Sequence, residues 1–201
     1  MATTAERAEP EFLPHRMTVD RYERMVEAGV YGDKSPVFLW KGRLFEHPPK
    51  SRPYSFTSTV VLTLLSRMVP QGWHVTHRTP LRIGLDSMPE PDLMIVRGEL
   101  RDYIDRSRTV RDLAIVIEIA DSNVALDLAA RTKQRAYAEE GVPVYWIVDL
   151  PNRSVMVLSD PSGSSEKPFY RWDGWHGPDD EVPVILDGLE IGRIAVKELL
   201  P

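Results

Sequence analysis

Two hydrophobic periods alternate along this chain. Val61, Leu64, Leu65 and Met68 recur at helical spacing, and Ser51, just upstream, is a residue type that caps helix starts. An earlier helix is predicted from a Thr18 cap to about Ala28, with Asp20 favourable in its first turn and Gly29 and Gly32 ending it. Between them, Val37 to Glu46 reads as a hairpin turning at Lys41-Gly42, followed by a Pro48-Pro49-Lys50-Ser51 loop. Short apolar runs then predict strands at Trp73–Val75, Leu81–Ile83 and Asp92–Val96. Arg97 to Asp112 carries charges of both signs and reads as a surface connection.

Leu113 to Ala120 is apolar at every position but one and predicts a central, buried strand. A helix over Leu126–Glu140 follows, stopped by Gly141-Val142-Pro143, and then a buried strand over Val144–Val148. That strand–helix–strand order implies a parallel crossover and an α/β fold. Ser154–Leu158, Phe169–Trp172 and Val182–Leu186 predict a C-terminal antiparallel annex, Ser159–Lys167 a loop, and Ile194–Leu200 a terminal helix. Residues 1–15 are polar and predict a flexible arm, leaving 16–201 as a single domain.

The exception inside the central strand is Glu118. An ionised carboxylate is costly to bury unless it is paired or binds a metal. Side chains alternate faces along a strand, so Leu113, Ile115, Ile117 and Ile119 share one face and Ala114, Val116, Glu118 and Ala120 the other. The small neighbours leave room beside Glu118 for a ligand or an ion; a strand-end glutamate paired with an arginine is the plainer account. Asp92 opens the neighbouring run after Pro91. Taken alone it is a turn residue capping the backbone, but pairing of the two strands would bring both carboxylates to one sheet edge. Lys133 shares a helical stripe with Leu126, Ala130 and Tyr137, a stripe that faces the sheet. Its ordinary account is a buried stem with a solvated head. Two acids and a lysine converging on a sheet edge make a sufficient kit for metal-assisted phosphodiester hydrolysis: a hard divalent cation takes carboxylate oxygens, water and phosphate.

Composition changes this picture little. The 201 residues, 42% hydrophobic and 27% charged, are ordinary for a globular domain. There is no cysteine, which excludes disulfides and thiolate zinc sites. No apolar run approaches the roughly 20 residues that cross a bilayer, and residues 1–14 lack the apolar core of a signal peptide, so a cytoplasmic protein without membrane attachment is expected. The net charge of −5 argues against a broadly basic nucleic-acid surface, although a cleft with a bound cation acts locally. Lys50, Arg52, Arg78 and Arg82 are candidates to flank a phosphate cleft or, more simply, a solvated rim. His74 and His77 point to opposite faces of a strand and do not make a zinc site, and the five tryptophans read as core or annex packing.

Pro91-Asp92 followed by Glu118-Ile119-Ala120 resembles the PD-(D/E)xK nuclease superfamily. The runs from Ile115 to Ser122, Lys133 to Ala138 and Gly141 to Asp149, with Met17 to Gly29 and Gly42 to Pro49 upstream, resemble the Uma2 family of restriction endonucleases, also called DUF820, over residues 17–190. The family's GVPEYWIVD segment is present with Val144 in place of its glutamate. The resemblance implies a restriction-endonuclease-like core, a mixed central sheet flanked by helices. It implies a Mg²⁺-dependent endodeoxyribonuclease, with Mn²⁺ able to substitute, acting on DNA through Asp92, Glu118 and Lys133. Asp92 and Glu118 match the metal-binding acids, and Glu46 matches an upstream acid that assists the metal or its waters. Ala120 stands where the superfamily's lysine is usual, and Lys133 occupies the helix position that replaces it. Asp127 matches an acid near the helix start only loosely. A double-strand break commonly needs two active sites, which implies a homodimer. Phe38 and Tyr54 stand where the family often has glutamate and histidine. Those departures favour the rival expectation, a catalytically weakened module of the same fold that binds nucleic acid or a protein partner.

Overall fold

The computed structural model describes residues 15–32 and 37–201. The expected arm over 1–15 lies, apart from His15, outside the described residues. Helix α1 (Val19–Glu27) starts as predicted, with the Thr18 hydroxyl accepting the Arg21 N–H at 3.4 Å. Strands β1 (Val37–Trp40) and β2 (Arg43–Glu46) form an antiparallel hairpin. Its turn places both Lys41 and Gly42 at positive φ, 47° and 74°, the left-handed pair that matches strand twist. Ser51 caps α2 (Arg52–Met68) by accepting the Tyr54 N–H at 3.2 Å.

The remaining strands are β3 (Trp73–His77), β4 (Leu81–Arg82), β5 (Leu93–Arg97), β6 (Arg108–Thr109), β7 (Leu113–Ala120), β8 (Val144–Asp149), β9 (Ser154–Pro161), β10 (Tyr170–His176), β11 (Glu181–Leu186) and β12 (Leu189–Ala195). Six of them form one sheet in the order β10-β9-β8-β7-β5-β3. Only β7 and β8 run parallel; the other neighbours are antiparallel. The helix between β7 and β8 supplies the crossover that parallel pairing requires. Both strands are buried along their whole length.

The expected annex is smaller than its strand count implied. Strands β9 and β10 extend the central sheet, and the separate unit is the β11–β12 hairpin. Ile194 lies in β12, so the last helix, α5, is confined to Val196–Leu199. Leu81 and Arg82 leave the main sheet and pair with β6 instead. The charged stretch before β7 is more ordered than a surface connection, with 3₁₀ turns at Leu100–Tyr103 and Val110–Asp112 and a buried Tyr103.

Each sheet face carries its own core. One packs Val61 and Leu65 of α2, with α5 and the β11–β12 hairpin, onto Ile115, Ile117 and Ile119. The other packs Tyr137, Tyr145 and Trp40 around Val116 and Ala120. Alternation fails at the start of β7: the β5–β7 register slips between Ile95 and Val96, Leu113 joins the second core and Ala114 the first. From Ile115 onward the predicted faces hold. Trp146 and Trp40 are core residues, but Trp172 and Trp175 are 70% and 55% exposed on the edge strand β10, against the packing expected of them.

Helix formation after β7 begins earlier than periodicity indicated. Ser122 caps α3 (Asn123–Asp127) through the Ala125 N–H at 3.2 Å. The helix then passes through a π-helical segment, Leu128–Lys133, into α4 (Gln134–Glu140). Gly141 ends it at φ 81°, a left-handed conformation that an L side chain strains to adopt.

Candidate active site

Glu118 lies in β7, on the face of the sheet covered by the following helix, and only 6% of it is exposed. Both oxygens are partnered. The Lys133 ammonium lies 2.7 Å from Oε2, and the Tyr137 hydroxyl donates to Oε1 at 2.9 Å. Lys133 ends the π-helical segment and Tyr137 stands four residues on in α4, so the two project to one side. A π-turn inserts one residue into an α-helix and is frequent at functional sites. Burial pushes the Glu118 carboxyl above the usual carboxylate range; Lys133 opposes that, and the charge of Asp92 adds to it. Burial and the adjacent glutamate also push the Tyr137 hydroxyl up, which keeps it a proton donor.

Asp92 stands immediately before β5 and is 4% exposed. Its Oδ2 accepts the backbone N–H of Ile119 at 2.8 Å, the residue after Glu118. Its Oδ1 accepts the Tyr54 hydroxyl at 2.5 Å and lies 3.2 Å from the Lys50 ammonium. The same ammonium rests 4.1 Å from the centre of the Tyr54 ring. Burial, then the charge of Asp92, pushes the Tyr54 hydroxyl up. The Ser51 cap holds Lys50 and Tyr54 at the start of α2, where both reach Asp92.

Asp92, Glu118 and Lys133 thus line one cavity of about 340 Å³, together with Lys50, Glu46 and Phe38. The two ammonium groups pair with Asp92 and Glu118, which leaves Glu46 and Asp121 as an excess of carboxylate on the wall. Glu46, at the exposed end of β2, is on the cavity wall. Among the described residues no three His, Cys, Asp or Glu side chains come close enough to hold a metal between them, so Glu46 does not close a cluster with the two buried acids. Asp127 turns away and pairs with Arg131 at 2.6 Å. Arg82 is taken by Asp20 and Glu23 and does not flank the cavity.

Sequence reasoning missed two partners of Asp92. Lys50 read more simply as solvated rim, and Tyr54 as a departure from a family pattern. The usable signal was the Ser51 cap, which fixes its neighbours at a helix start. Nothing in local sequence joins that start to Asp92, some forty positions on.

A model of the family described as "Uma2: Putative restriction endonuclease" matches residues 19–193. The chain belongs to the Uma2 family. A solved structure described as "a putative nuclease belonging to DUF820", from Anabaena variabilis ATCC 29413, is similar at TM-score 0.66 over 91% of this chain and 97% of that one, with 18% sequence identity. That likeness establishes the fold: a mixed sheet flanked by helices, with a separate antiparallel strand pair, in a nuclease-like α/β architecture. No curated protein matches the chain. No helix of this Uma2 chain, among the described residues, is long and apolar enough to cross a membrane.

Proposed function

We propose that this Uma2 chain is a metal-dependent endonuclease that hydrolyses phosphodiester bonds in DNA. The observation that carries the reading is the convergence of Asp92 and Glu118, both buried, with Lys133 on one solvent-reaching cavity. The donor set suits Mg²⁺, or Mn²⁺ in its place. Carboxylate oxygens are the hard ligands these ions prefer, and Mg²⁺ keeps several waters, so two protein carboxylates suffice. The ammonium groups of Lys50 and Lys133 already hold positive charge against both acids.

Asp92 and Glu118 would hold the ion, and Glu46 on the cavity wall would assist its waters. The bound ion supplies a more acidic water and neutralises charge on the phosphate. Lys133 orients the attacking water or stabilises the charge that builds on phosphate oxygens, a role suited to a preorganised cation in a partly dry site. Tyr137 fixes the Glu118 carboxylate through Oε1, and the Ile119 N–H fixes Asp92 through Oδ2. The cavity wall carries Glu46, Asp92, Glu118 and Asp121 against Lys50 and Lys133, so a bound divalent ion would offset the excess of carboxylates and admit a phosphodiester despite an overall charge of −5. A homodimer would supply the two sites that a double-strand break needs.

One observation favours a second reading, a weakened module that binds nucleic acid or a protein partner. Asp92 already accepts from Tyr54, Lys50 and Ile119, so three of the roughly four acceptor directions of a carboxylate are used. Plasmid nicking with Mg²⁺ or Mn²⁺ decides between the readings. Cutting that Glu118→Gln and Lys133→Ala each abolish supports the enzyme. No cutting across a broad DNA and RNA panel, with no metal binding by calorimetry, supports the module.

A further inference from the structure

Beside this cavity lies a second recess of about 200 Å³, lined by Phe38, Trp40, Phe45, Leu128, Thr132 and Lys133. Phe38, Phe45, Leu128 and Lys133 line both spaces, so the two adjoin. Apart from Lys133 and Thr132 the recess is apolar. Phe45 and Leu128 are 43% and 46% exposed, unusually open for large side chains beside a charged centre.

The aromatic rings are ordered. Phe38 and Phe45 are directly opposed across the hairpin, which puts both on one face. Their rings stack at 5.9 Å with 30° between planes, and the other neighbour of Phe38 is His47, 4.5 Å away at 27°. The three rings form a ladder whose outer member, Phe45, is half open to solvent. What extends such a ladder is another flat ring.

Given the reading of the cavity as a phosphodiester site, the geometry points to this recess as a subsite for one unpaired nucleobase, that of a nucleotide flanking the scissile phosphate. The phosphate site and the ring ladder meet at Lys133, and a nucleotide carries its phosphate and its base on one sugar. A base inside a matched duplex is stacked on both sides and cannot enter; it enters from a single strand or from a site already unpaired. Stacking on an exposed aromatic face tolerates any sequence, because every base has a π-face. The preferred substrate is therefore single-stranded or locally unpaired DNA.

The test compares the full-length chain with Phe45→Ala and Phe45→Trp. Anisotropy with Ca²⁺ present measures binding of a labelled single strand and of the matched duplex. Phe45→Ala should weaken the single strand about tenfold, as loss of one stacked base does, and leave the duplex unchanged. Phe45→Trp should retain the affinity and show indole quenching by the single strand. Phe45 is half exposed, so the thermal midpoint of either variant should stay near that of the parent. Equal binding by parent and Phe45→Ala, or equal losses on single strand and duplex, overturns the subsite and leaves the recess to an apolar side chain of a protein partner. Plasmid nicking run beside it separates the two ideas. Nicking that Glu118→Gln abolishes, with no Phe45 effect on binding, sinks the subsite alone. A Phe45-dependent single-strand preference without nicking sinks the catalytic reading and upholds the subsite.

Discussion

Lys133 reaches Glu118 from the helix that follows β7, with its ammonium 2.7 Å from Oε2. The strand position two residues after the glutamate, Ala120, is buried in the core beneath that helix. The cation is therefore delivered by packing of one element on another, and the pair depends on tertiary structure at both ends.

Removing one partner leaves a buried charge uncompensated. Lys133→Met should cost about 3 kcal/mol of stability, measured by urea unfolding. Glu118→Gln/Lys133→Met should recover at least about 1 kcal/mol of that, because contacting charges are not additive. Strict additivity of the single losses would mean that the pair contributes no coupling.

Asp92 carries the Ile119 N–H as well as the Tyr54 hydroxyl. An asparagine cannot accept at both ends. Asp92→Asn should lower stability by about 1–3 kcal/mol and eliminate calorimetric binding of Mg²⁺. Undiminished metal binding by this variant would remove Asp92 from the ligand set.

Tyr54 competes with any cation for Asp92 Oδ1, at 2.5 Å. Tyr54→Phe should lose about 1 kcal/mol of stability with that hydrogen bond, while raising Mg²⁺ affinity severalfold. Weaker Mg²⁺ binding in the variant would show that the hydroxyl aids the metal, contrary to this expectation.

Acid should weaken the hold of a half-buried carboxylate, Asp112. Partial burial alone would raise the Asp112 pKa, yet two Arg106 bonds of 2.9 Å and the Thr109 N–H bring it from 3.8 down to about 2. Such a group binds its proton more weakly folded than unfolded. Its contribution is complete above the unfolded value and is lost as pH falls toward the folded one. The stability gap between the parent and Asp112→Asn should hold constant near neutral pH and shrink from about pH 5 down to pH 2. Thermal unfolding across that range checks it; a gap that does not shrink refutes the assignment.

Much of the fold and of the site is legible in the sequence. Glu118 stood out because a charge interrupted an apolar strand, and Lys133 because it shared a stripe with Tyr137; the two do meet. The caps at Thr18 and Ser51 form as predicted because capping is a local contest between side chain and backbone. Strand partnership is not local. The runs that became β9 and β10 looked no different from β11, and only the sheet edge available beside β8 distinguishes them. Nor does any short-range signal mark the slip at Ala114, the π-turn, or the hold of Lys50 and Tyr54 on Asp92.

The π-turn at Leu128–Lys133 also fixes how this protein tolerates a change in length. Deleting one residue there would restore plain α-helix, the commoner and easier conformation, and would turn everything on one side of the deletion by about 100° relative to the other. Either the apolar side chains of α3 or the pair Lys133 and Tyr137 would then swing away from the sheet. A shortened chain could keep its helix and lose the register that brings ammonium to carboxylate, so the irregular turn is where a single codon divides folding from chemistry.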